Sequence, residues 1–194
     1  MFSGRATNRD DPLVIGAAKI LQRFVLYLPQ LVARPSMSEQ THRPRLNELL
    51  TKARNNVIEN TRNVTGWDIS EYRPEDLQII DRLLGERFRD AVRREQRRYE
   101  SAVFGFGTYL GEVLVRRLGG RWHFPTRFQA LIGSLSLDPF KGERYFYVLL
   151  DDRRVDVFRA ARNAVEKTSG IFSLYDFYEN CAHSASKTES TLLK

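Results

Sequence analysis

Apolar residues recur every three or four positions over most of this sequence and give way to alternation only between residues 121 and 150. The first periodic stretch, residues 11–28, opens with Asp11-Pro12, an N-cap residue followed by a proline whose missing amide costs nothing in a first turn. Gly16, Lys19, Gln22 and Arg23 form one narrow polar stripe, and Leu13, Val14, Ala17, Leu21, Phe24, Val25 and Leu28 cover much of the rest. A helix this apolar must bury most of its circumference. Three covers fit: the main domain, a second copy of the chain, or an anionic membrane surface with Lys19 and Arg23 at headgroup level. The apolar run 12–32 has the length of a bilayer span, but those two cations sit in its middle, where each costs about 2.5 kcal/mol or more on insertion. No transmembrane span is expected. Pro29 ends or kinks the helix by removing an amide donor.

Residues 33–44, with two prolines and small polar side chains, read as a linker. From 45 to 63 the helical period returns on Leu46, Leu49, Leu50, Ala53, Val57 and Ile58, until Thr65-Gly66 breaks it. Pro74-Glu75-Asp76 then starts a helix with a first-turn proline and two acids that complement the dipole. Its stripe of Leu77, Ile80, Leu84, Phe88, Ala91 or Val92, and Tyr99 predicts one continuous helix, with Gly85 as a weak point costing about 1 kcal/mol against alanine. A second helix over 101–118 turns Val103, Phe106, Leu110, Val113 or Leu114, and Leu118 inward, and Gly105, Gly107 and Gly111 leave room for close approach of another backbone. Gly119-Gly120 stops it, since glycine enters the left-handed conformation without steric cost.

Residues 121–124 and 128–137 alternate imperfectly and predict two short strands. Tyr145 to Leu150, YFYVLL, is a β-prone run of buried-strand length. Helical spacing then resumes over 152–167 and 171–180, and a polar tail follows from Ala182. The expected fold class is α+β, helices packed on a small antiparallel sheet, with an N-terminal helical arm. The expected organisation is an apolar arm and linker over 1–44, the α+β domain over 45–181 and a flexible tail over 182–194.

Charge widens the field of partners without choosing among them. The 194 residues carry 31 Lys+Arg against 24 Asp+Glu, a formal net charge of +7, which favours nucleic acid, an anionic membrane or an acidic protein alike. The single cysteine, Cys181, cannot form an internal disulfide, which suits a reducing, cytoplasmic compartment. None of His42, His123 and His183 sits in a motif that would activate that thiol.

The stretch 104–122, FGFGTYLGEVLVRRLGGRW, holds the most specific pattern: Tyr109, Gly111 and Glu112 in a Tyr-Leu-Gly-Glu-Val helix, then Gly119, Gly120 and Trp122 in Gly-Gly-x-Trp. It resembles the signature of a group of small uncharacterised bacterial proteins. The flanking pieces DISEYRPEDLQIIDRLL (68–84), Asp138-Pro139-Phe140 and LYDFY (174–178) fit the same group, so that the likeness covers about 66–181. Arg73, where the group would have a serine cap, and the FGFG lead-in depart from it. The resemblance implies a helix-plus-sheet domain and carries no established chemistry with it.

Glu112 is the carboxylate most worth weighing. Among small and apolar neighbours it could be a buried acid or base. The competing role is an ion pair with Arg116, four residues on in the favourable order, or a bond from amides near Gly119 or Trp122. Catalysis needs a second group and none is nominated, so the architectural role is expected. Trp122 is expected in the core for the apolar area it buries. The run 82–98 has seven arginines against Glu86, Asp90 and Glu95. A one-sided arginine stripe would bind phosphate, with Arg87, Arg93, Arg94, Arg97 and Arg98 as contacts; the interleaved acids fit a solvated, ion-paired face as well. The glycines of 105–111 lead to Glu112 where a phosphate loop needs lysine, and no cofactor or metal site is nominated. The expectation is a non-enzymatic cytoplasmic protein whose work is protein–protein association, through the arm or the arginine-rich helix, with a homo-oligomer among the options. Nucleic-acid binding and peripheral membrane association through residues 12–32 are the rivals.

Overall fold

The computed structural model describes residues 39–85, 88–89, 92, 94–124, 146–166 and 172–192. Helix α1, Glu39–Thr65, begins six residues inside the stretch expected as a linker and carries Pro44 within it. Proline deletes one rung of the helical ladder; Pro44 is exposed, and the apolar stripe continues past it. Leu46, Leu50, Ala53, Val57 and Ile58 are the buried face. Gly66 (φ 76) ends the helix, its amide donating to the Arg62 carbonyl at 2.8 Å.

Helix α2, Asp76–Leu83, is where expectation and structure part most clearly. The helix expected to run on to Tyr99 stops at Leu84, and Glu95 is extended (φ −135°, ψ 113°) before helix α3, Gln96–Leu118, starts afresh. Phe88 and Val92, helical residues within that interval, and Tyr99 in α3 still reach the common core. Their spacing is satisfied by tertiary packing of separate elements, which a periodicity cannot distinguish from one long helix. Gly85 marks the weak position where the chain departs.

Helix α3 is the axis of the molecule. Every residue from Ser101 to Leu114 except Phe104 is buried, a helix covered all round. Gly119 closes it in the left-handed conformation (φ 69). Strands β1 Arg121–His123, β2 Tyr147–Leu150 and β3 Arg153–Val155 form an antiparallel sheet in that order. Trp122 pairs with Val148, which pairs with Val155, placing the three on one face.

Strand β3 occupies residues expected to be helical. Asp151 (φ 47) and Asp152 (φ 59) make a two-residue turn between the paired residues Leu150 and Arg153, a hairpin geometry that aspartate tolerates better than most residues. The strand expected over 128–137 lies outside the described residues.

Helix α4, Val157–Glu166, is capped by Asp156, whose Oδ1 accepts the Arg159 amide at 3.0 Å. It packs on α3 through small residues: a Cβ at Gly107 would come within 2.5 Å of the Phe158 ring and 3.2 Å of its Cα. Helix α5, Leu174–Leu192, continues well past Ala182, through the stretch read as a polar tail. Its N-terminus is held from α2. Asp81 accepts the amides of Leu174 (2.9 Å) and Tyr175 (3.1 Å) and the Ser173 hydroxyl (2.8 Å). The architecture is α+β, with helices packed on a three-stranded antiparallel sheet. The arm over residues 1–38 lies outside the described residues.

Candidate functional site

The signature residues sit on α3 and the turn that follows it, and they face different neighbours. Glu112 is 9% exposed. Its Oε1 accepts from Arg116 Nε at 2.8 Å, and its Oε2 lies 3.0 Å from Arg54 Nη1 of α1. The first contact is the i, i+4 pair the spacing predicts; the second joins α1 to the central helix. One carboxylate thus lies between two guanidiniums. The Arg116 guanidinium also lies 4.1 Å from the centre of the Tyr72 ring, a cation–π contact.

Tyr109, three residues before Glu112, is buried and stacks on Tyr72 with ring centres 5.3 Å apart. Its hydroxyl donates to the Ile69 carbonyl at 2.7 Å. Burial, reinforced by the nearby Asp76 carboxylate, pushes the phenol well above its ordinary range, so it stays protonated. Arg117 fastens the same loop from outside, donating to the carbonyls of Tyr72 (3.0 Å) and Glu71 (2.8 Å).

Gly111 faces the sheet. A Cβ there would fall 2.2 Å from Trp122 Cζ2, so the indole lies directly on the helix backbone. Trp122 in turn packs toward Phe158, ring centres 6.3 Å apart. At Gly120 a Cβ would meet Leu150 at 2.7 Å and Val148 at 2.8 Å. Glu112 and Trp122 therefore do not line one pocket. Successive helical positions send the carboxylate toward α1 and the glycine before it toward β1.

The arginine-rich stretch is divided by the break between α2 and α3. Arg89 is buried, its Nε donating to the Ala164 carbonyl at 3.3 Å, a cation at the C-terminal end of α4 where the dipole favours it. Arg98 pairs with Glu95. Arg94 and Arg97 are exposed; Arg87 and Arg93 lie outside the described residues. Burial raises the Cys181 thiol, with Arg153 lowering it in part. Among the described residues no group of three or more His, Cys, Asp or Glu could hold a metal ion, and no helix is long and apolar enough to cross a membrane.

One residue escapes the periodicity because it lies between elements. Trp67 is 62% exposed, an indole outside the core, on a loop that is otherwise tied down. Its amide donates to Thr65 Oγ1 at 3.1 Å. Asp68 next to it accepts the Ser70 amide at 3.0 Å and pairs with Arg62 at 2.8 Å. Ile69 is fully buried, and its carbonyl holds Tyr109. The sequence signal was an aromatic residue immediately after a glycine stop and outside every stripe. Comparison with protein-family models, curated proteins and solved structures found no match.

Proposed function

We propose that this chain is a non-catalytic, cytoplasmic protein–protein interaction module that presents Trp67 to its partner. The observation that carries the reading is the pairing of an exposed indole with a loop fixed at both sides. Tryptophan is among the residues most enriched at binding hot spots. Because Thr65, Asp68 and Ile69 already hold the backbone, little conformational freedom is lost when Trp67 docks. The Arg62–Asp68 pair beside it supplies a polar rim. The signature carboxylate supports the same reading: Glu112 is engaged by Arg54 and Arg116, which makes it a fastening between helices. Kinship with the bacterial YLGEV…GGxW group is part of the proposal, and the packing of Gly111 against Trp122 gives that pattern a structural role.

The test compares full-length wild type with Trp67→Ala as baits in native extract. Proteins retained by the first and lost by the second, with the variant's thermal transition unchanged, are the expected result. Identical retention by both would refute the role of Trp67. Nucleic-acid binding through the arginine-rich stretch is the rival: Arg89 is committed internally, and Arg94 and Arg97 are its exposed described members. Tight, steeply salt-dependent binding to mixed DNA or RNA would favour the rival.

A further inference from the structure

We propose that the segment 66–73 is a strained latch, in which Arg117 holds Tyr72 in the left-handed conformation and thereby fixes the position from which Trp67 is presented. The inference rests on the reading of Trp67 as a docking residue and names what regulates that site. The chain enters the left-handed region twice here, at Gly66 (φ 76) and at Tyr72 (φ 53). Glycine does so without strain, and a Cβ at position 66 would meet nothing within 4 Å. Tyrosine does not. A bulky residue with positive φ is strained and persists only where its surroundings over-determine it.

The groups that hold Tyr72 come from α3. Its ring is buried, stacked on Tyr109, with the Arg116 guanidinium 4.1 Å from its centre. These contacts need an aromatic side chain, which is why residue 72 is not a second glycine. The backbone is fixed by Arg117, whose Nε and Nη2 donate to the carbonyls of Tyr72 (3.0 Å) and Glu71 (2.8 Å). Consecutive carbonyls of an extended chain point to opposite sides, so one rigid guanidinium fork takes both only where the chain turns sharply between them. Hydrogen bonds from a cation are roughly twice as strong as neutral ones, and here they offset the strain. The hold passes back along the segment. The Tyr72 amide donates to the Ile69 carbonyl at 3.4 Å, the same carbonyl that takes the Tyr109 hydroxyl, and the Ser70 amide ties to Asp68 beside Trp67. With the guanidinium withdrawn, Tyr72 returns to an unstrained φ, and Trp67 leaves its fixed position while the core stays folded. Arg117 is a positioning residue, and it lies exposed at the surface.

The experiment labels the full chain with 5-fluorotryptophan, which gives one fluorine resonance for Trp67 and one for Trp122, assigned with Trp67→Phe. Wild type should show a single narrow Trp67 line. Arg117→Ala should broaden that line or move it toward its unfolded position, and hydrogen exchange over residues 67–73 should quicken about tenfold or more. The Trp122 line and the exchange of α3 should stay as they are. Arg117→Lys keeps the charge and loses the fork, so it should change the loop in the same direction. Tyr72→Phe keeps the ring and the backbone and should behave as wild type. A Trp67 line and loop exchange unmoved by Arg117→Ala overturn the proposal. So does a Trp122 line that moves together with that of Trp67, because Arg117 would then support the fold as a whole. In native extract, proteins retained by wild type and lost by Trp67→Ala should also be lost by Arg117→Ala and kept by Tyr72→Phe; their full retention by Arg117→Ala overturns the regulatory role. If Trp67→Ala loses no protein, the docking reading fails, and the fluorine lines alone decide the latch.

Discussion

The six-membered ring of Trp122 occupies the place where residue 111 would carry its Cβ, with Cζ2 only 2.2 Å from that position. Sheet and central helix meet there with only the indole between their backbones. The contact explains why a glycine stands in the middle of a 23-residue helix, where it costs about 1 kcal/mol against alanine. The approach of an indole to the backbone offsets that propensity.

Gly111→Ala should therefore destabilise the protein although alanine is the better helix former. Displacing Trp122 is an overpacking of the core, expected to cost about 1–3 kcal/mol. For a chain of this size that lowers the melting temperature by roughly 2–4 °C per kcal/mol. Thermal unfolding followed by circular dichroism reads it, and a melting temperature at or above wild type would show that the indole can move aside.

The two partners of Glu112 should differ in weight. Arg54 is 23% exposed and Arg116 48%, so water screens the second pair more. Arg116→Ala should cost about 1 kcal/mol or less, in the range of exposed pairs. Arg54→Ala should cost more, because it also releases α1. Glu112→Ala should exceed both, since it leaves two guanidiniums facing each other, one of them largely buried. Urea denaturation of the three variants gives the order; equal losses for both arginines would contradict it.

Asp81 is expected to act on a helix distant in sequence. Asp81→Ala removes the acceptor for two amides and a hydroxyl at the start of α5, a capping loss of about 1–2 kcal/mol. Hydrogen exchange should quicken at Leu174 and Tyr175 while the amides of α3 hold their protection. Uniform quickening would instead indicate global destabilisation.

Asp68 supplies a pH dependence with a definite sign. The hydrogen bond from Arg62, helped by the Ser70 amide, lowers its carboxyl from 3.8 to about 2. A depressed folded-state pKa contributes stability that is present above the unfolded value and is lost as pH falls toward the folded one. The loop around Trp67 should loosen between about pH 4 and pH 2. A carboxyl titration followed by NMR should show Arg62→Ala returning Asp68 toward its ordinary value; an unmoved midpoint would exclude Arg62 as the cause.

Local rules written along the chain decide a good part of this molecule. The stripes of α1, α2 and α3, the Gly119 stop, the β-prone run ending in β2 and the Glu112–Arg116 pair follow from spacings of three, four and two and from the chemistry of single residues. The α+β class follows from their order. What the spacings leave open depends on neighbours remote in sequence. A stripe from Leu77 to Tyr99 is equally well buried by one helix or by shorter ones in succession, and only the core shared with Phe106 and Val165 selects the broken arrangement. Asp151-Asp152 can cap a helix or turn a hairpin, and pairing of β3 with β2 decides for the hairpin. Arg54 reaches Glu112 across 58 positions, and Asp81 reaches Ser173 across 92. The exposure of Trp67 belongs to the same class. Periodicity describes how a side chain faces along its own element, whereas whether an indole between two elements is covered depends on what the rest of the chain brings beside it.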